Sequence, residues 1–181
     1  MTELPRLETE RLRLRPLELA DAPEVQRLAG DRLIAATTLN IPHPYPDGAA
    51  EEWLRRSAER AAAGEVLSYA IERRPDGALV GSVSLSIERE HDRAELGYWI
   101  GVPYWGQGYA TEAAGELVRH GLETLGLNRI YAYHFPANPA SGRVLQKIGM
   151  AYEGRRRQHS LKWGEYLDSE SYAILRSDAR A

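Results

Sequence analysis

The sequence predicts an α+β (mixed α/β) protein, with a central, mostly antiparallel twisted sheet of about seven strands flanked by about four helices. Three observations carry this. Residues 66–73, 78–88 and 94–102 are β-patterned runs separated only by short polar turns, as in an antiparallel meander. A long amphipathic run follows them directly. The full order reads strand, two helices, three strands, helix, strand, helix and two strands, which suits a mixed sheet with helices packed on it. With 181 residues and no internal repeat, low-complexity tract or linker-like break, one domain is expected over 1–181, its core at about 7–175.

In chain order, "RLRLRP" alternates Leu12 and Leu14 with arginines, a half-buried strand ended by Pro16. Residues 20–30 predict a short helix with Pro23 in its first turn and Gly30 as its stop. "LNIPHPYPDG" holds three prolines and predicts a surface loop; Asp47 then reads as the N-cap of a helix to about Ala63, with Trp53 and Leu54 inward and Gly64 at its end. The turn "PDG" at 75–77 and the polar "REHDR" join the meander. Ala110, Ala113, Ala114, Leu117, Val118, Gly121, Leu122 and Leu125 form one stripe of the next helix, capped by Gly126. "NRIYAYHF" is a strand, and "NPASGRVLQKIG" a short helix capped by Asn138, with Pro139 at its first position and Gly149 at its end. The remainder predicts a hairpin about Trp163-Gly164-Glu165.

Composition excludes several function classes. A net charge of −3 leaves no basic footprint, so direct nucleic-acid binding is not expected. There is no cysteine, which removes disulfides, thiolate metal sites and a cysteine nucleophile, and fits a reducing compartment. No run of 18 apolar residues and no signal-like core occur, so a cytoplasmic protein without a membrane segment is expected.

Gly106-x-Gly108-x-Ala110 stands where strand pattern becomes helix pattern. Such a helix start exposes unpaired N–H groups and a partial positive charge, and glycine lets a ligand approach the backbone closely. The bend either cradles a phosphate or pyrophosphate or is a tight turn that needs small residues for packing. The nucleoside-triphosphate loop is absent, and the dinucleotide fingerprint fails because Thr111 holds its third small position.

"AELGYWIGVPYWGQGYATEA" followed by "NPASGRVLQKIGM" resembles the GNAT acetyltransferase superfamily, and within it the RimJ/RimL branch of ribosomal-protein N-terminal acetyltransferases. The likeness runs from about Leu7 to Leu175 and includes "LETERLRLRPLELADA" and "PHPY". It implies a splayed strand pair and acetyl-CoA as cosubstrate, with no metal. Backbone amides from Gln107 through Gly108, Tyr109 and Ala110 to Thr111 would hold the pyrophosphate, and backbone near Ile100 and Val102 the pantetheine arm. Asn138 stands at the cofactor-contacting helix start, and Arg143 either reaches a coenzyme phosphate or lies on a solvated face. Where the superfamily carries Arg or Gln, Trp105 stands here, so only the backbone half of that site carries over.

Acetyl transfer from a thioester to an amine needs a base, a polarised carbonyl, protonation of the thiolate, and proximity. Without cysteine, direct attack in a ternary complex is expected. Glu95 is the candidate base by resemblance, though its alternation with Leu96 could equally point it to solvent. His134 titrates in a useful range and is expected to face substrate, unless it is a hydrogen-bonded structural histidine. The superfamily's tyrosine acid is replaced by Leu145, which leaves Ser141 as the resemblance's candidate partner of the thiolate. His43 and Tyr45 in "PHPY" would border the acceptor groove, or the loop is only a rigid crossing. Arg155, Arg156 and Arg157 point both ways along an alternating strand, and Trp53, Trp99 and Trp163 read as packing. The expected activity is transfer of acetyl to a primary amine, foremost a protein N-terminus such as that of a ribosomal protein. A small-amine acetyltransferase (polyamine or antibiotic) and a non-catalytic acyl-CoA-binding module are the alternatives. A monomer or homodimer is expected.

Overall fold

The structure, a computed structural model, describes residues 4–180. Its elements are β1 (Leu7–Glu8), β2 (Leu12–Pro16), α1 (Ala22–Ala29), α2 (Arg32–Thr37), α3 (Ala49–Ala62), β3 (Val66–Arg73), β4 (Ala78–Glu88), β5 (Arg93–Ile100), α4 (Tyr109–Glu123), β6 (Arg129–His134), α5 (Pro139–Lys147), β7 (Ala151–Lys162) and β8 (Glu165–Leu175). The eight strands form one sheet in the order β1-β2-β3-β4-β5-β6-β8-β7, antiparallel except where β5 meets β6. Among the described residues no helix is long and apolar enough to cross a membrane.

Strand alternation sends Leu12, Leu14, Tyr69, Val83, Leu85, Leu96 and Ile100 to the face covered by α4 and α5, whose Ala113, Ala114, Leu117 and Leu145 meet them. The other face carries a smaller core of Ala22, Val25 and Ala29 from α1 with Ala50 and Leu54 from α3. Each fully buried leucine contributes about 1.5–3 kcal/mol, so the α4 face supplies most of the cohesion.

The meander, the hairpin at Trp163-Gly164 and both late helices stand where the sequence predicts them. Four details differ. A two-residue β1 pairs Leu7 with Leu14, too short to show alternation, so the described residues hold eight strands rather than about seven. A fifth helix, α2, starts from Asp31, whose carboxylate accepts the Leu33 N–H at 2.8 Å; six residues are too few for a visible period. Gly48, with φ +77°, rather than Asp47 stands at the α3 N-cap. Leu125 lies past the end of α4 and is 41 % exposed instead of joining its stripe.

The feature that shapes the site is the junction of β5 and β6. They pair only at Arg93 with Arg129, Ala94 with Ile130 and Glu95 with Tyr131. Beyond that, β5 stays in register with β4 up to Ile100, while β6 stays in register with β8 up to His134. Each strand follows its own antiparallel partner, and the right-handed sheet twist carries the two apart.

Candidate active site

A cleft of about 960 Å³ opens where β5 and β6 separate. Residues 95–100 and 132–134 form its walls, the starts of α4 and α5 lie along one side, and residues of α1, α2, α3 and the loop 38–45 lie along the other.

The α4 side begins with a sharp bend. Gly106 and Gly108 adopt φ of +74° and +81°, a conformation L side chains rarely take, and this lets α4 start directly after the turn Val102–Tyr104. Among the described residues none accepts a hydrogen bond from the backbone N–H groups of Gln107 to Thr111. Unpaired donors at the positive end of a 15-residue helix suit an anion.

The bend is fastened from the far edge of the sheet. Arg11 gives Nη1–H to the Gln107 carbonyl at 2.9 Å, and its Nε–H and backbone N–H to Glu112 at 2.7 and 2.9 Å; the Thr9 hydroxyl donates to the same carboxylate at 2.6 Å. Burial alone would raise the Glu112 pKa, but these hydrogen bonds and the Arg11 charge hold it below its ordinary value. Sequence reasoning missed this clamp, because nothing local links residues about a hundred positions apart.

At the second helix start, the Asn138 carboxamide accepts the Ser141 N–H at 3.3 Å, the expected cap. Ser141 faces the cleft with its hydroxyl 2.8 Å from the Tyr98 hydroxyl. Leu145 is fully buried, so no acid comes from that position. Arg143 and Lys147 lie on the exposed rim.

Ile100, Gly108, Tyr109, Ala110, Thr111, Asn138 and Arg143 all line the cleft, while Val102 and Gln107 do not. Trp105 folds back and donates its indole N–H to the Ile100 carbonyl at 2.6 Å, so that oxygen, expected to face pantetheine, already has a partner. Val102 lies off the cleft, with its carbonyl taken by the Trp105 N–H at 3.2 Å, because the chain turns into a 3-10 helix there. Gln107 also lies off the cleft; its side chain bonds the Pro103 carbonyl, and only its backbone N–H remains available.

On the opposite face of the sheet, Glu95 lines the cleft, half-buried. Burial raises its pKa above the ordinary carboxylate value, partly offset by the Tyr133 hydroxyl. Tyr45, Trp53 and Trp99 border the same opening, so both tryptophans take part in the groove as well as in packing. His43 is exposed and off the cleft, turned outward by its loop. His134 is buried on the face away from Glu95, because it alternates with Tyr133 along β6. Its Nδ1 lies 2.8 Å from the Phe135 carbonyl, and its Nε2 abuts Gly142, where an added Cβ would stand only 2.6 Å away. That packing holds the ring in place at the cleft wall, on the α5 side. At the far end, Lys162 is 7 % exposed and gives Nζ–H to the carbonyls of Thr38 and Leu39 at 2.5 and 3.3 Å, tying the β7–β8 hairpin to the groove loop.

These features agree with the comparisons. The acetyltransferase (GNAT) domain family matches residues 11–151. The uncharacterized N-acetyltransferase p20 of Bacillus licheniformis is 30 % identical over 174 residues, 95 % of this chain and 97 % of that protein. The uncharacterized N-acetyltransferase YoaA of Bacillus subtilis is 37 % identical over 111 residues, 61 % of this chain and 63 % of that one, so this match spans less than two thirds of YoaA. Among solved structures, a protein from Vibrio cholerae described as a candidate ribosomal-protein-serine acetyltransferase aligns with a TM-score of 0.79 at 26 % identity, over 97 % of this chain and 99 % of that chain. RimL, a ribosomal L7/L12 α-N-protein acetyltransferase solved with coenzyme A, shares the fold at TM-score 0.87 and 19 % identity, over 94 % and 98 % of the two chains.

The chain belongs to the GNAT acetyltransferase family. It is an acetyl-CoA-dependent N-acetyltransferase, and ribosomal-protein acetyltransferases of the RimL type are among its structural neighbours.

Proposed function

We propose that this enzyme acetylates the N-terminal α-amine of a protein or peptide by direct attack within a ternary complex. The observation that carries the reading is the cleft itself, which passes between β5 and β6 with anion-binding helix starts and Ser141 on one face, and Glu95 among Tyr45, Trp53 and Trp99 on the other. Acetyl-CoA fits the first face through the free N–H groups of residues 107–111, and when bound it supplies the activated acetyl group. An extended chain terminus fits the open aromatic groove, and the described specificity of the Vibrio cholerae relative supports that choice of acceptor.

Glu95 takes the proton of the acceptor ammonium. Its raised pKa makes it a stronger base than a solvated carboxylate, which suits that task. Ser141 donates a hydrogen bond to the sulfur as it departs, and the α4 start holds the diphosphate so that the two substrates stay close. Such a protein acts in the cytoplasm, where acetyl-CoA and new N-termini meet.

The test is thiol release from acetyl-CoA against peptides beginning with Ala, Ser or Thr, beside polyamines, aminoglycosides and free amino acids. Turnover with the peptides, and α-acetylation seen by mass spectrometry, is the expected result. Turnover confined to the small amines would move the acceptor to that class.

A further inference from the structure

Ser141 is the third residue of α5 and its hydroxyl is a free rotor, able in principle to serve the backbone or to face the cleft. Among the described residues its Oγ has one hydrogen-bond partner, the Tyr98 hydroxyl at 2.8 Å, which also lies 3.3 Å from the Ser141 carbonyl. Tyr98 stands on β5, packed with the α4-side core, and both residues line the cleft. The phenol therefore bridges the opening, from the strand that leaves β6 to the helix that follows β6.

Two hydroxyls in contact share one hydrogen and leave the other free. Burial pushes the Tyr98 phenol up to about 12, so it keeps its proton at neutral pH, yet it remains far more acidic than a serine hydroxyl. The phenol hydrogen has two acceptors in reach, Ser141 Oγ at 2.8 Å and the Ser141 carbonyl at 3.3 Å; the shorter contact takes it, so the serine oxygen accepts and its own hydrogen is free to point elsewhere.

We propose that Tyr98 is a positioning residue for the leaving-group step, donating to Ser141 Oγ and so turning the serine hydrogen toward the departing sulfur. The proposal rests on the reaction proposed above and explains how the site works with Leu145 where relatives of the superfamily hold an acid. In the step, the nitrogen–carbon bond forms and the carbon–sulfur bond breaks, with the electron pair leaving on sulfur. The departing thiolate is held by the serine hydrogen bond and takes its proton from solvent, while Tyr98 keeps its own. The acceptor nitrogen loses two protons, one before attack and one as the intermediate collapses, and Glu95 passes both to solvent, so protons balance.

The experiment is a double-mutant cycle of Tyr98→Phe and Ser141→Ala, with kcat and both KM values measured on an amine the wild type acetylates. Tyr98→Phe keeps the ring, so melting temperature and both KM values stay near wild type while kcat falls about tenfold, the scale of one lost hydrogen bond. In the Ser141→Ala background the same change costs nothing more. Unchanged kcat in Tyr98→Phe, full additivity with Ser141→Ala, or a loss confined to KM overturns the positioning role. So does a loss that Ser141→Ala does not share. Failure of the wild type on every amine, with CoA still bound, instead overturns the proposed acceptor reaction and the positioning role with it.

Discussion

Replacing Glu112 with alanine tests whether the cofactor turn is held from outside the cleft. The change removes the hydrogen bonds from Thr9, from the Arg11 backbone and from Arg11 Nε, together with an ion pair to Arg11 Nη2 at 2.7 Å. The Arg11 side chain is 44 % exposed, so the ion pair contributes only about 0.5 kcal/mol; the part-buried bond from Thr9 and the backbone bond from the Arg11 amide contribute about 1 kcal/mol each. The sum, about 2.5 kcal/mol, corresponds to a melting temperature lower by about 5–10 °C for a chain of this size. Because Arg11 also grips the Gln107 carbonyl, CoA affinity measured by titration calorimetry drops about threefold to tenfold as the donors at 107–111 lose their fixed direction. The pH dependence has a definite sign. The Glu112 pKa is lower in the folded state than its ordinary 4.5, so the stability gap between wild type and variant is full above that pH and closes as pH falls through the folded value. A variant that melts within a degree of wild type and binds CoA equally would refute the reasoning and reduce the clamp to a solvated surface pair.

Glu95→Gln should lower kcat about a hundredfold with melting unchanged. In the wild type the acid limb of the rate profile falls above pH 4.5, since burial raises the Glu95 pKa, and the variant lacks that limb. Gly142→Ala places a Cβ 2.6 Å from His134 Nε2, whose ring is held by Phe135 and packs on Tyr172; overpacking of about 1–3 kcal/mol outweighs the gain of about 1 kcal/mol in helix propensity, and a denaturant titration shows net loss. His120 is buried, its Nε2 unpartnered among the described residues, and desolvation lowers its pKa below the ordinary 6.5; stability is therefore full above pH 6.5 and declines as pH falls toward the folded value, a decline that His120→Leu flattens in urea melts at pH 5–7.

The parts of this protein written in contiguous residues were legible in its sequence. Gly106 to Thr111 and Asn138 to Ser141 announce helix starts through glycine, proline and capping chemistry, and the structure puts both beside one cleft. Contacts made by distant segments were not. Tyr98 reads as one more alternating strand residue, and only the fold brings it to Ser141, 43 positions away. Glu95 could be read as solvent-facing because alternation gives a face and not the depth of a cleft. For His134 the titrating chemistry was legible, but not the close approach of Gly142 that fixes its ring.

The short junction of β5 and β6 also has a mechanical consequence. With three residue pairs at one end and none beyond, the halves of the sheet share only a short backbone seam, and α4, packed on both β5 and β6 and against α5, splints them from one face. Across the divide, the buried Lys162 ammonium on β7 bonds the carbonyls of Thr38 and Leu39, and the Tyr98 hydroxyl on β5 meets Ser141 on α5. Two polar ties, one at the hairpin and one inside the cleft, thus join halves that share few backbone bonds.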